Sequence, residues 1–78
     1  MPRYFFDLYD DLVVIDDVGQ ELDNLEQARR EAIAAVTGIA HDILPDNGPA
    51  KTLRCNVRDE LDNVVLHAEI AFKVSYGG

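Results

Sequence analysis

The segment from Asn24 to Leu44 constrains the fold of this chain more than any other, because it is the only stretch that can form a long helix. Its apolar residues recur every three or four positions, the spacing of one helix face. Asn24 can cap the first turn with Gln27 three residues later, and Pro45 ends the helix at or before Leu44. The predicted apolar stripe contains Leu25, Ala28, Ala32, Ile33, Val36, Ile39, Ala40, Ile43 and Leu44.

Two pairs of strand-like segments flank this helix. Residues 3–9 alternate in polarity and residues 12–15 are a short β-branched run, so together they predict a hairpin. Residues 52–58 and 64–74 predict a second hairpin around the loop 59–63. One helix covers one face of a small sheet and no more. We therefore expect an α+β fold of the ββαββ type, a four-stranded sheet with one helix packed on one face, and the pattern leaves the strand order open.

The length of 78 residues predicts a single domain, residues 1–78, with little stability to spare. Cys55 is the only cysteine, so an internal disulfide is impossible, and its place in a strand that faces the helix predicts an inert, buried thiol. No cluster of cysteine and histidine suggests a structural zinc ion. Self-association is the remaining source of stability, and we expect a homodimer.

The formal net charge of −8 is unevenly distributed. Residues 1–23 carry seven acidic residues and one basic residue, whereas residues 51–78 carry four of each. A chain without a basic patch is not expected to bind nucleic acid. The chain shows no apolar signal region and no run long enough to span a membrane, so we expect a cytoplasmic protein without a membrane partner.

The candidate catalytic and metal-binding residues are few, and they match no known chemistry. No nucleophile has a base beside it in the sequence, and His41 and His67 belong to different elements. Five acids could converge at the first hairpin, but their spacing matches no calcium loop, so turn formation is the favoured role. These acids are Asp7, Asp10, Asp11, Asp16 and Asp17. We therefore expect a non-enzymatic protein with no cofactor and no metal.

The sheet face away from the helix is the candidate interaction surface. A contiguous apolar patch on that face marks an interface, whereas single exposed apolar residues mean little. The near-neutral C-terminal hairpin is the favoured dimer contact, because Arg54, Arg58 and Lys73 can meet acidic residues across a two-fold axis. The candidate interface residues are Phe5, Tyr9, Arg54, Arg58, Val65, His67 and Ala71.

Four short motifs resemble those of a family of small bacterial proteins of unknown function. The chain opens with MPRYFF and continues with DDVGQEL at residues 16–22 and LEQA at residues 25–28. Residues 57–60, VRDE, are similar to the turn of that family. Asn24 stands where the family usually has aspartate, and both residues cap helices. The likeness covers nearly the whole chain, and it implies no established activity, substrate or catalytic residue.

Two weaker likenesses imply specific partners. The helix segment LEQARREA at residues 25–32 resembles HicB-type antitoxin domains, which would make this chain an antitoxin-like or regulatory partner of a basic protein. The chain ends in Tyr76-Gly77-Gly78, and a free Gly-Gly terminus is the chemical handle of ubiquitin-like sulfur carriers, whose β-grasp fold is also ββαββ. A glycine-rich tail is also common in frayed termini. Self-association without catalysis is the favoured function.

Overall fold

The computed structural model describes residues 2–43 and 48–77, which form one helix and five strands in an α+β arrangement. In chain order the elements are β1 (Arg3–Tyr9), β2 (Val13–Val14), β3 (Gln20–Glu21), α1 (Leu25–Ile43), β4 (Ala50–Arg58) and β5 (Val64–Lys73). The strand pairs are antiparallel, in the order β2-β1-β4-β5, and β3 also pairs with β1. Within these residues no helix is long and apolar enough to cross a membrane.

The prediction of four strands is wrong at the second strand. Residues 12–15 contribute only β2, which pairs with the end of β1, whereas β3 pairs with the beginning of β1. Both short strands pair with the same edge of β1, and β4 pairs with the opposite edge. Between β2 and β3, residues 15–19 form a loop that is not paired with β1 as a strand. The predicted second strand at residues 12–15 is therefore shortened to β2, and β3 is an additional strand that the sequence did not predict.

The strand order defines how α1 connects the two halves of the sheet. Both β3 and β4 run antiparallel to β1, so they run parallel to each other on either side of it. Helix α1 makes the crossover between them, which a parallel pair requires. The long hairpin of β4 and β5 completes the sheet, and β5 pairs only with β4 among the described strands.

The helix begins at the predicted cap. The Asn24 side-chain oxygen accepts a hydrogen bond from the Gln27 amide nitrogen at 3.0 Å, which confirms Asn24 as the N-cap. The Gln27 side chain reaches back to the backbone nitrogen of Asp23 at 3.0 Å rather than to that of Asn24. The described helix continues to Ile43, and the predicted end at Leu44 and Pro45 lies outside the described residues.

The predicted loop at residues 59–63 is confirmed, and an aspartate organises it. The Asp59 carboxylate accepts hydrogen bonds from the backbone nitrogens of Leu61 at 2.9 Å and Asn63 at 3.0 Å. These bonds hold the pKa of Asp59 below its ordinary value, the bond from Asn63 most of all. Asp62 takes the left-handed conformation with φ of 64°, which aspartate tolerates better than most residues.

The core is a single layer between α1 and the sheet. Helix α1 contacts β4 and β5 far more than β1. It contributes mainly alanines, so that its backbone lies close to the strands. The buried apolar residues are Tyr4, Leu22, Ala28, Ala32, Val36, Ala40, Leu53, Cys55 and Val57. The predicted stripe is right along its centre and wrong at two flanking positions, since Leu25 and Ile33 are 44% and 42% exposed.

We predict that Val36→Asp unfolds the domain. The Val36 side chain is fully enclosed between α1 and the sheet, and an unpaired carboxylate there would lower the free energy of unfolding by about 4 kcal/mol or more. Ala34→Asp is the matched control, because Ala34 is exposed on the same helix and the change should cost less than about 1 kcal/mol. Urea denaturation measures both. Equal midpoints for the two variants would place the core on another face of α1.

Candidate interaction surfaces

A buried ion pair lies on the sheet face opposite α1. The Asp7 side chain, in a residue only 2% exposed, accepts hydrogen bonds from Arg58 Nε at 2.7 Å and Arg58 Nη2 at 3.1 Å. This paired geometry matches the planar guanidinium to the carboxylate and is stronger than a single contact. The same Asp7 carboxylate accepts a hydrogen bond from the Asp16 backbone nitrogen at 2.9 Å. The pair therefore joins β1, β4 and the loop at residues 15–19.

Asp16 organises that loop. Its carboxylate accepts hydrogen bonds from the backbone nitrogens of Phe6, Val18 and Gly19, each at 3.0 Å. Burial by itself would raise the pKa of Asp16, but the hydrogen bonds from Gly19, Phe6 and Val18, together with the Arg58 charge, outweigh it and lower the pKa. The Phe6 amide belongs to β1 between its pairings with β2 and β3. Asp16 thus supplies the hydrogen-bond partner that a continuous strand would have supplied.

Arg58 lies at the centre of this polar network. Its Nη2 also donates to the Asp16 carbonyl oxygen at 2.7 Å, and its Nη1 donates to Asp62 at 2.7 Å. The hydrogen bond to Asp7, above all, raises the pKa of Arg58, so this residue stays charged. The guanidinium carbon lies 5.1 Å from the centre of the Phe5 ring, within cation–π range.

Gly19 is required where the loop packs on Phe5. It has φ of 74°, in the left-handed region that favours glycine. A Cβ atom at this position would lie 2.9 Å from both the Phe5 ring and the Arg3 side chain. The loop can therefore close on β1 only with glycine here.

The structure places six of the seven candidate interface residues on this open face. The Arg54 guanidinium carbon lies 5.6 Å from the centre of the Tyr9 ring, an arrangement like that of Arg58 over Phe5. His67 Nδ1 lies 2.6 Å from Asn56 Oδ1. Ala71 is exposed opposite Thr52 on β4. The face thus carries arginines over its aromatic rings rather than a bare apolar patch. Whether these residues form an interface stays a prediction.

Val65, the seventh candidate, lies at a bulge. The register between β4 and β5 pairs Val57 with Leu66 and Arg58 with Val64, so Val65 has no direct partner on β4. The shift also places Val64 on the open face, because Val64 lies opposite Arg58. Simple alternation along residues 64–74 would have placed it on the helix face with Leu66. Beyond the bulge, Leu66, Ala68 and Ile70 face α1 and pack against the core.

An apolar cleft separates α1 from β1 and β2. This β2 cleft has a volume of about 160 Å³ and is lined by Leu8, Tyr9, Asp10, Leu12, Val14, Val36, Ile39, Leu53 and Arg54. Five neighbouring apolar residues are more than half exposed, with Leu12 the most at 77%. They are Leu12, Val13, Val14, Ile15 and Val18. Sequence reasoning missed this surface, because a β-branched run is typical of a half-buried strand.

A larger cleft lies on the other side of α1, at the edge of the sheet. This β5 cleft has a volume of about 340 Å³ and is lined by Arg29, Ile33, Val36, Thr37, Leu66, His67, Ala68, Glu69 and Ile70. Its floor is the helix-facing side of β5, and its wall is the exposed Ile33 side of α1. The cleft opens directly onto the edge of β5 that β4 leaves free.

The five acids of the first hairpin have separate roles. Asp7 and Asp16 belong to the Arg58 network, Asp10 accepts a hydrogen bond from the Leu12 backbone nitrogen at 2.8 Å, and Asp11 lies 2.7 Å from Lys51 Nζ. In residues 2–43 and 48–77 no three histidine, cysteine or acidic side chains are grouped to hold a metal ion. Asp17 is exposed.

The remaining candidate residues lie apart from one another. His41 is exposed beside Asp42, whose carboxylate lies 3.3 Å from His41 Nδ1. Cys55 is fully buried as predicted, and burial, followed by the charges of Asp7 and Asp16, raises the pKa of its thiol to about 11. Gly78, the residue that a sulfur carrier would use, lies outside the described residues.

These features define a small α+β domain with a polar sheet face and two apolar clefts beside one helix. A family model matches residues 3–71, and the chain belongs to that family, Domain of unknown function (DUF6894). The predicted membership in a family of unknown function is confirmed. The likeness to HicB-type domains and the MPRYFF opening stay untested predictions. Comparison with curated proteins and with solved structures finds no match.

We predict that Asp7 contributes far more stability than Asp62, although both carboxylates bind Arg58. Asp7→Ala removes the buried carboxylate that accepts hydrogen bonds from Arg58 Nε and from the Asp16 backbone nitrogen, and should lower the free energy of unfolding by about 3 kcal/mol or more. Asp62 is 82% exposed at its side chain, so Asp62→Ala should cost only about 1 kcal/mol, chiefly because alanine tolerates the left-handed conformation at this position less well than aspartate. Urea denaturation of both variants decides this. A loss in Asp62→Ala as large as that in Asp7→Ala would contradict a buried network.

Proposed function

We propose that this protein is a non-enzymatic interaction module that self-associates through the free edge of β5. The observation that supports it is the coincidence of an open strand edge with an apolar cleft. β5 is ten residues long and contains no proline, and its only acidic or basic residues besides His67 are Glu69 and Lys73. An edge of this length with so little protection is a template for pairing with another strand.

The charge distribution favours a second copy as the occupant of this edge. Residues 51–78 carry equal numbers of acidic and basic residues, so two copies of the C-terminal hairpin approach each other without net repulsion. The acid-rich first segment contains β1, β2 and β3, which lie on the far side of β4 from β5. Pairing through β5 therefore keeps the acid-rich halves of the two chains farthest apart.

The edge is a better contact than the open sheet face. The face presents the charged groups of Arg54, Arg58 and Glu69, which two copies would have to remove from water. Edge pairing instead satisfies backbone groups and encloses the apolar β5 cleft. A 78-residue domain with one cysteine also gains stability from association that it cannot obtain from a disulfide.

We predict that Ile33→Glu weakens self-association and that Leu25→Glu does not. Ile33 forms a wall of the β5 cleft, whereas Leu25, equally exposed on the same helix, does not line it. Both variants add one negative charge, so general repulsion is matched between them. Light scattering over a concentration series should show a dimer for the wild type and Leu25→Glu, and a shift toward monomer for Ile33→Glu.

A wild-type mass of one chain at every concentration up to the millimolar range would contradict the proposal. Equal weakening in the two variants would assign the effect to charge rather than to the cleft. Circular dichroism of each variant checks that the fold is retained.

A second proposal is an antitoxin-like or regulatory role toward a basic protein, and the β2 cleft supports it. The exposed Leu12 and Val13 offer apolar contact, and Asp10 and Asp17 beside them attract positive charge. If a neighbouring gene encodes a small basic toxin, co-expression should relieve its toxicity. Leu12→Lys should abolish that relief, and relief that survives this change would contradict the use of the β2 cleft.

The sulfur-carrier function and the cytoplasmic location stay predictions from the sequence. A carrier would acquire a C-terminal thiocarboxylate at Gly78 when it is co-expressed with an adenylating and sulfur-transferring enzyme. Intact-mass measurement would detect this product, and an unmodified mass under those conditions would contradict the function.

A further inference from the structure

We infer that two copies pair their β5 strands antiparallel about a two-fold axis through Ala68, with the two α1 helices packed side by side above the joint. This inference rests on the proposed self-association through β5. It adds which residues meet and what fills the β5 cleft. Ala68 lies at the middle of the ten-residue strand and also lines that cleft.

The two faces of the sheet restrict where the axis can lie. Residues directly opposite each other on paired strands point to the same face. An axis between two residues would place a helix-facing residue of one copy opposite an open-face residue of the other, and the two cores would not join. The axis must therefore pass through a residue.

The axis through Ala68 gives complementary pairs at the centre of the strand. His67 lies opposite the partner's Glu69, and Leu66 lies opposite the partner's Ile70, each pair occurring twice. His67 and Glu69 are exposed on the open face, whereas Leu66 and Ile70 are half-buried on the helix face. Polar residues thus meet polar residues, and apolar residues meet apolar residues.

The neighbouring registers are less favourable. An axis through Glu69 places two carboxylates opposite each other, which is destabilising. An axis through His67 places Leu66 opposite Ala68 and leaves Glu69 opposite Val65. An axis through Ile70 places Glu69 opposite Ala71. An axis through Ala71 places Glu69 opposite Lys73, but within β5 it pairs only residues 69–73 and leaves the cleft residues Leu66 and Ala68 beyond the pairing. Among the axes near the middle of the strand, the axis through Ala68 is the one that places Glu69 opposite a basic side chain, His67.

The position of α1 also supports pairing between the β5 strands of two copies. Because α1 lies over β4 and β5, and strands are about 4.8 Å apart, the two helix axes would be about two strand spacings apart, or roughly 10 Å. Packed helices lie about 8–10 Å apart. The β5 cleft of each copy would then be closed by α1 of the other, with Ile33 filling the space above the small Ala68 side chain.

Cysteine substitutions along β5 test the register. Ala68→Cys should form an interchain disulfide rapidly under mild oxidation, because its two copies meet at the axis. Ala71→Cys is the matched control, since its two copies would be roughly 20 Å apart along the strands and a disulfide needs Cα atoms about 4.4–6.8 Å apart. The native Cys55 does not interfere, because it is fully buried and remains protonated. Glu69→Cys and Ile70→Cys report the registers shifted by one and by two residues toward the end of β5.

Light scattering of the same variants under reducing conditions separates the two proposals. Dimers that cross-link fastest at Ala68 support the inferred register. Dimers that cross-link fastest at Glu69, Ile70 or Ala71, or at none of these positions, overturn the register while self-association stands. A monomer at every concentration overturns self-association itself, and the register with it.

Discussion

The structure depends on a mismatch between the width of one helix and the width of the sheet that it covers. A helix with its side chains is about 10 Å across, whereas four strands abreast span roughly 15 Å between the outer strand axes. Helix α1 lies over β4 and β5 and presents alanines to them. An apolar cleft therefore remains on each side, one beside β2 and one at the edge of β5. Both proposed contacts follow from this geometry, because residues 2–43 and 48–77 contain one helix and no other element that covers these clefts.

The Asp7–Arg58 pair explains why the edge of the sheet, rather than its open face, is the better contact. Asp7, the Asp16 carbonyl oxygen and Asp62 together accept hydrogen bonds from all three side-chain nitrogens of Arg58 within one copy. Arg58 and Arg54 also lie over the Phe5 and Tyr9 rings. Aromatic residues that look like an apolar patch in the sequence are thus shielded by their own chain. The same network fixes the loop between β2 and β3. The free edge of β5 has no comparable cover in the described part of the chain.

Local patterns in the sequence predict the helix cap at Asn24, the loop at residues 59–63 and the single helix on one sheet face, because these depend on neighbouring residues. The additional strand β3 could not be predicted, since Gln20–Glu21 is too short to show a pattern and follows a loop that Asp16 holds through hydrogen bonds to Phe6 and Gly19. Asp7 and Arg58 are 51 positions apart, and only the strand order, which the pattern leaves open, brings them together. Ile33 belongs to the apolar stripe by its spacing, but the limited width of the helix leaves it exposed.

Amide hydrogen exchange along β5 tests the central claim, that this edge is where two copies meet. In an antiparallel edge strand, alternate backbone nitrogens point away from the sheet. At high protein concentration, the outward-pointing amides between Leu66 and Ile70 should exchange about as slowly as the inward-pointing ones bonded to β4. On dilution, the outward-pointing amides alone should become fast. Fast exchange of these amides at every concentration, or concentration-dependent protection at residues 13–15 instead, would contradict the account.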